Sequence, residues 1–157
     1  MEDDDGMRRA LHWAEAALAA GQAPFGAVVV DAEGAVLGEG HNTVAADRDV
    51  TAHAEVVALR AAWNRLGDRQ GLAACTLYTS CEPCLMCSCA ITQLGLRRVV
   101  FAARGDEVPG ARRLFEADLT GAAAWAAEHR PGWRMPEIRG ELLRAEAVAI
   151  MARYDWG

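Results

Sequence analysis

The sequence predicts a layered α/β domain built on a mixed sheet that opens with a β-hairpin. Three observations lead there. Short apolar, strand-like runs alternate with helix-periodic stretches along the chain, which argues for a sheet covered by helices. The first two of those runs are joined by only a short turn, as in a hairpin. At 157 residues, 52% of them hydrophobic, the chain is long enough for a sizeable core and suits a single domain over residues 1–157.

Residues 7–20 are alanine-rich, with Met7, Leu11, Ala14 and Leu18 at helical spacing, and Gly21 stops them. Residues 25–30 and 35–40 read as the hairpin strands, with the turn at Asp31 to Gly34. The pair Gly38 and Gly40 lacks the third glycine of a dinucleotide fingerprint and opens no helix, so it is assigned no cofactor role. A polar loop from His41 to Val50 leads to a helix expected to start at Thr51, with its hydroxyl as cap, and to end near Leu66. Residues 75–79 form a third strand. Pro83 is placed as the first residue of a second helix ending at Gly95. Residues 98–103 form a fourth strand, and 111–127 a helical stretch that Gly121 would interrupt. After a Pro131-Gly132 turn, a strand near 137–140 precedes a last amphipathic helix marked by Leu143, Ala147, Ile150, Met151 and Tyr154.

Composition narrows the chemistry. All sixteen basic residues are arginine, which excludes Schiff-base lysine catalysis and a lysine-dependent P-loop. A net charge of −6 opposes a broad polyanion-binding face, so a small, weakly charged substrate is expected and nucleic acid is not. An acidic start and the lack of a long apolar run point to the cytoplasm and away from a membrane. The five cysteines, at 75, 81, 84, 87 and 89, are odd in number and crowded, unlike a disulfide framework. Iron–sulfur ligation by Cys81, Cys84, Cys87 and Cys89 is a rival reading, but it leaves His53 and Glu55 without a role.

His53, Cys84 and Cys87 supply three ligands of a tetrahedral zinc and leave one position open for water, which implies catalysis rather than a staple. His53 and Glu55, two residues apart, point to nearly opposite flanks of a long helix, so a site they share must lie off the helix end. There a positive dipole end would favour thiolate and hydroxide ligands.

Four stretches now combine: Pro24-Phe25-Gly26-Ala27, Glu39-Gly40-His41-Asn42, Thr51-Ala52-His53-Ala54-Glu55 and Thr79-Ser80-Cys81-Glu82-Pro83-Cys84-Leu85-Met86-Cys87. Their H-x-E…P-C-x-x-C pattern resembles that of zinc-dependent nucleobase deaminases. Over nearly its full length the chain resembles the cytidine deaminase superfamily, and within it the bacterial guanine deaminases. The tRNA adenosine deaminases and fungal-type cytosine deaminases are related in the same way. The resemblance implies a three-layer αβα sandwich with a mixed five-stranded sheet, one zinc per subunit and a homodimer. It also implies a C-terminal tail that closes the pocket and can be exchanged between subunits.

The expected reaction is hydrolysis of guanine to xanthine and ammonia, a step of purine metabolism, with Glu55 as the proton carrier. Phe25 and the acidic composition resemble the guanine deaminases; Ala103-Arg104 and Gly110-Ala111 resemble the tRNA enzymes. Cytosine, another amino-heterocycle, a nucleoside and tRNA adenosine are the alternative substrates. A structural-zinc RNA-binding or editing-complex subunit is the alternative of a different class. The expected substrate contacts are Asn42, Phe25, Ala54, Tyr154 and Trp156. Asn42 reads the ring edge or merely forms a turn; Phe25 packs on substrate or core. Tyr154 and Trp156 form a lid or dock on their own core. Glu116 and Asp118 are candidates for a second acidic proton shuttle.

Overall fold

The first two apolar runs fold as an antiparallel pair, β1 (Gly26–Val30) and β2 (Val36–His41), with Gly26 opposite His41 and Val30 opposite Val36. Asp31 builds the turn, its carboxylate accepting the N–H groups of Glu33 and Ala35. The computed structural model describes residues 1–108, 119–130 and 134–157. Three further strands, β3 (Thr76–Cys81), β4 (Arg98–Ala103) and β5 (Glu137–Arg139), complete a five-stranded sheet of order β2-β1-β3-β4-β5. β1 is antiparallel to β2 and β3, while β3–β4 and β4–β5 are parallel. The mixed sheet and the layered sandwich are as expected.

Alternate side chains of each strand enter opposite layers. Val28, Val30, Tyr78 and Val100 pack with Met7 and Leu11 of α1 (Asp3–Ala19) and Ile150 and Met151 of α7 (Arg144–Met151). Ala27, Val29, Leu77 and Val99 pack on the other side. Their partners are Ala58 and Leu59 of α3 (Ala54–Leu66), Leu72 of α4 (Arg69–Ala73) and Ile91 of α5 (Leu85–Leu94). Short α2 (Val44–Asp47) follows β2, and α6 (Leu119–His129) packs on α5. Gly38 sets how closely α3 approaches the sheet. A Cβ there would lie 2.2 Å from the carbonyl oxygen of Ala58 and 2.5 Å from the nitrogen of Ala62. Its glycine serves that contact.

The boundaries differ from expectation for local reasons. α1 begins at Asp3 rather than Met7, because three aspartates occupy its first turn, where the helix dipole favours negative charge. α3 begins at Ala54, not Thr51. The Thr51 hydroxyl donates to Asp49 and accepts from Arg60, so it is unavailable as a cap, and His53 takes the N-cap position. α5 begins at Leu85, which leaves Pro83 outside it and makes Cys84 its N-cap. Gly121 lies inside α6 without interrupting it, while residues 111–118 and the Pro131-Gly132 turn fall outside the described residues. The stretch read as a plain loop contains α2, and α7 ends at Met151, before Tyr154. Among the described residues no helix is long and apolar enough to cross a membrane.

Asp3 joins the start of α1 to the sheet. Its carboxylate accepts hydrogen bonds from Arg98, from the Tyr78 hydroxyl at 2.9 Å and from Arg139, which links α1 to β3, β4 and β5. The Arg98 guanidinium holds the Asp3 carboxyl well below the usual carboxylate range, with Tyr78 and Arg139 adding to it and burial opposing. Burial, with the Asp3 bond second, pushes the Tyr78 hydroxyl up to about 12. Asp3→Asn is expected to cost roughly 1–3 kcal/mol at pH 7. A carboxyl depressed in the folded state contributes stability that is full above its unfolded pKa of about 3.9 and is lost as pH falls toward the folded value. Melting temperatures of the two proteins, compared from pH 7 to pH 2, should therefore differ most at pH 7 and narrow steadily below about pH 4.

Candidate metal centre

One end of the sheet gathers the start of β1 and the ends of β2, β3 and β4, because Gly26 pairs with His41, Ala27 with Thr79, and Cys81 with Ala103. The N-termini of α3 and α5 meet there. His53 and Cys84 occupy equivalent positions, each the extended N-cap of its helix, with φ/ψ of −68°/154° and −65°/170°. Cys87 sits in the first turn of α5 and is fully buried. The His53 Nδ1 lies 3.5 Å from the Cys84 Sγ and 3.6 Å from the Cys87 Sγ, and all three donor atoms are within 4.8 Å of one another. A tetrahedral zinc with ordinary bond lengths separates a nitrogen from a sulfur ligand by about 3.6 Å, so the donor set fits this ion.

Each support has a main-chain group on at least one side. Thr43 N–H bonds the Ala52 carbonyl at 3.0 Å, tying the chain after β2 to the residue before His53. Gly26 N–H donates to the buried Ser80 hydroxyl, and Glu82 N–H to the Ala103 carbonyl at 2.7 Å. The Glu82 carboxylate accepts from Gly105 N–H, fastening the ligand loop to the chain after β4. The Ser88 hydroxyl, buried in α5, bonds the Pro83 carbonyl at 3.2 Å. The sequence reading assigned nothing to Glu82 or Ser88. Two polar side chains within a stretch dense in cysteine were the available signal.

The electrostatics call for a cation. Hydrogen bonds from Cys87 and then His53 bring the Cys84 thiol down to about 4, although burial opposes them. Its pairing with Cys84, and then burial, drive the Cys87 thiol in the opposite direction. Two adjacent sulfurs thus cannot both ionise without a counter-charge, which a dication provides. Glu55, 6% exposed in the first turn of α3, is pushed up to about 7 by burial and then by the charge on Cys84. The His53 charge and the Cys87 thiol oppose that rise.

The remaining expected residues divide. Asn42 is buried just past β2 and forms a turn, its Oδ1 accepting the Val44 N–H at 3.2 Å. Phe25 is half-buried between both cores and lies 5.9 Å, ring to ring, from Trp156. Ala54 is buried at the first position of α3. Trp156 packs on the core of its own chain, donates to the Met151 carbonyl at 3.1 Å and meets Tyr154 edge-on at 4.9 Å. Glu116 and Asp118 lie outside the described residues. Cys81 is buried with its thiol on the Arg104 carbonyl and Cys89 is exposed, so neither joins the ligand cluster and the iron–sulfur reading has no geometry.

Cys87→Ser should reduce the zinc that co-purifies from about one per chain to a small fraction of that, measured by elemental analysis of the folded protein. Cys81→Ser, beside the same loop, should retain it.

Residues 1–103 match the sequence profile of the cytidine and deoxycytidylate deaminase zinc-binding region. A tRNA-specific adenosine deaminase of Aquifex aeolicus is 33% identical over 142 residues, covering 88% of this chain and 91% of that protein. A tRNA(Ile)-lysidine synthase of Deinococcus radiodurans is 37% identical over 145 residues, 92% of this chain but only 23% of that protein, so the chain spans less than a quarter of this relative. The solved structure of a guanine deaminase from Nitrosomonas europaea superposes with a TM-score of 0.84 at 30% identity, over 98% of this chain and 84% of that one. With the profile covering well over half its length and a zinc-compatible His-Cys-Cys cluster at the sheet end, the chain belongs to the cytidine and deoxycytidylate deaminase family, whose members are zinc-dependent hydrolytic deaminases.

Proposed function

We propose that this chain hydrolytically deaminates a free purine base, guanine to xanthine with release of ammonia. The observation that carries the reaction class is Glu55, a carboxyl held near neutrality by burial beside the three donors His53, Cys84 and Cys87. When bound by those donors, zinc supplies a strong nucleophile at neutral pH by lowering the pKa of water to about 7. Glu55 takes the proton of the attacking water on a carboxylate oxygen and gives it to the ring nitrogen beside the carbon under attack. A second proton follows the same route to the departing amine. A carboxyl poised near 7 both accepts and releases a proton at working pH. Asn42 contributes its side-chain amide and Ala54 a first-turn N–H, a group that helix geometry leaves without an intrahelical acceptor. Phe25, Trp156 and Tyr154 give the planar base an aromatic flank and exclude water.

The choice of a small base rests on charge and on the tail. Arg144 and Arg153 are the cations in and after α7. The first pairs with Glu107 and Glu141, the second with Glu15, so both are already engaged by carboxylates of the same chain. A duplex or anticodon stem would find little free positive charge there. We take the enzyme to be a homodimer, as the family resemblance suggests. A second reading, deamination of adenosine in tRNA, is favoured by the Aquifex aeolicus relative, which is similar over nearly the full length of both proteins.

Steady-state assays against guanine, cytosine, adenine, their nucleosides and tRNA decide between these readings. Guanine should be turned over and tRNA should not. Cytosine turnover without guanine turnover would sink the substrate assignment, and salt-sensitive tRNA binding with inosine formation would establish the second reading.

Glu55→Gln should keep its zinc and its melting temperature while kcat falls by about 10²–10⁴. Retained turnover would remove Glu55 from the mechanism. A wild-type protein that binds zinc but deaminates nothing would instead favour a structural site.

A further inference from the structure

We infer that His41 is a positioning residue that acts through Asn42 to fix substrate recognition, an inference that rests on the reading of Asn42 as a substrate contact. Asn42 is 6% exposed, and three of its four polar groups are pinned. Its main-chain N–H donates to the Phe25 carbonyl at 3.0 Å, and its Oδ1 accepts the Val44 N–H at 3.2 Å. Its main-chain oxygen is held by His41 Nδ1 at 2.8 Å. What remains is the side-chain NH2, which has no partner among the described residues. Asn42 therefore presents donors, and the atom it reads on the substrate is an acceptor, either a ring-nitrogen lone pair or an exocyclic oxygen.

His41 is the one side chain in that set of restraints. A peptide carbonyl only accepts, so Nδ1 carries the proton whether the ring is neutral or charged. The ring is itself braced. Trp13 of α1 lies 5.8 Å from it, ring to ring and tilted by 35°. The Trp13 indole lies beside Glu39, whose carboxylate Arg9 grips. A clamp thus runs from α1 through Trp13 and His41 to the Asn42 peptide. Without the His41 bond, that peptide plane is restrained on one side only, and the amide loses its fixed aim at the substrate edge. The sequence analysis gave His41 no role.

The test uses the full zinc-loaded chain with guanine, or with the base the substrate panel identifies in its place. His41→Phe keeps a ring against Trp13 but removes the donor; His41→Asn removes the ring but places an amide nitrogen near the Nδ1 position. His41→Phe should raise KM roughly 5- to 20-fold, as for one lost hydrogen bond, and change kcat by less than about twofold. His41→Asn should restore most of the loss. Zinc content and melting temperature should match wild type in both. Asn42→Ala should raise KM at least as much, and adding His41→Phe to it should change nothing further, because His41 acts only through that residue. Additive effects of the two substitutions, a wild-type KM for His41→Phe, or equal defects in His41→Phe and His41→Asn would each overturn the inference. So would a shared loss of zinc or melting temperature, which would assign His41 to folding. Wild-type kinetics for Asn42→Ala, with the defect of His41→Phe intact, would separately show that the reading of Asn42 had failed.

Discussion

The meeting of two helix N-termini at one end of the sheet is the constraint on which the rest depends. Each brings unpaired N–H groups and the positive end of a dipole, a setting that favours anionic side chains and repels a second cation-bearing element. His53 and Cys84 cap the two helices, and Cys87 and Glu55 stand in their first turns. Four chemically active side chains thereby converge without any of them lying on a flexible loop. Burial makes the arrangement demanding, since two sulfurs and a carboxyl compete for few protons. That competition is what a divalent cation relieves.

Hydrogen bonds to the main chain help to hold this convergence in place. The ligand loop hangs on β4 through Glu82 and on α5 through Ser88, and the chain after β2 is stitched to the residue before His53. Gly38 lets α3 settle onto the sheet at a distance that no larger residue permits, which fixes where its N-terminus lies. Charge secures another part of the sheet, where Asp3 engages Tyr78, Arg98 and Arg139.

The C-terminal segment shows the same economy of surface. α7 shares a core with α1, Arg8–Glu146 and Arg153–Glu15 pair across the two, and Trp156 comes back to Phe25 at the start of β1. An aromatic pair then borders the end of the sheet where the ligands sit. Its own core contacts account for its position in the single chain. The role proposed for it beside the substrate makes a second use of the same packing.

Much was legible in the sequence. The hairpin, the third and fourth strands and the long helices follow from local apolar periodicity, which does not depend on distant residues. The ligand set was legible because metal chemistry requires particular residue types at close spacing, as in Cys84-x-x-Cys87, joined by His53. The start of α3 was misplaced by three residues, since a nearby carboxylate and a distant arginine claimed the Thr51 hydroxyl that would have capped it. Strand order, the rise of Glu55 toward neutrality and the clamp from Trp13 through His41 to Asn42 belong to the tertiary structure alone. Each arises from groups far apart in the chain, whose burial and mutual orientation no local pattern encodes.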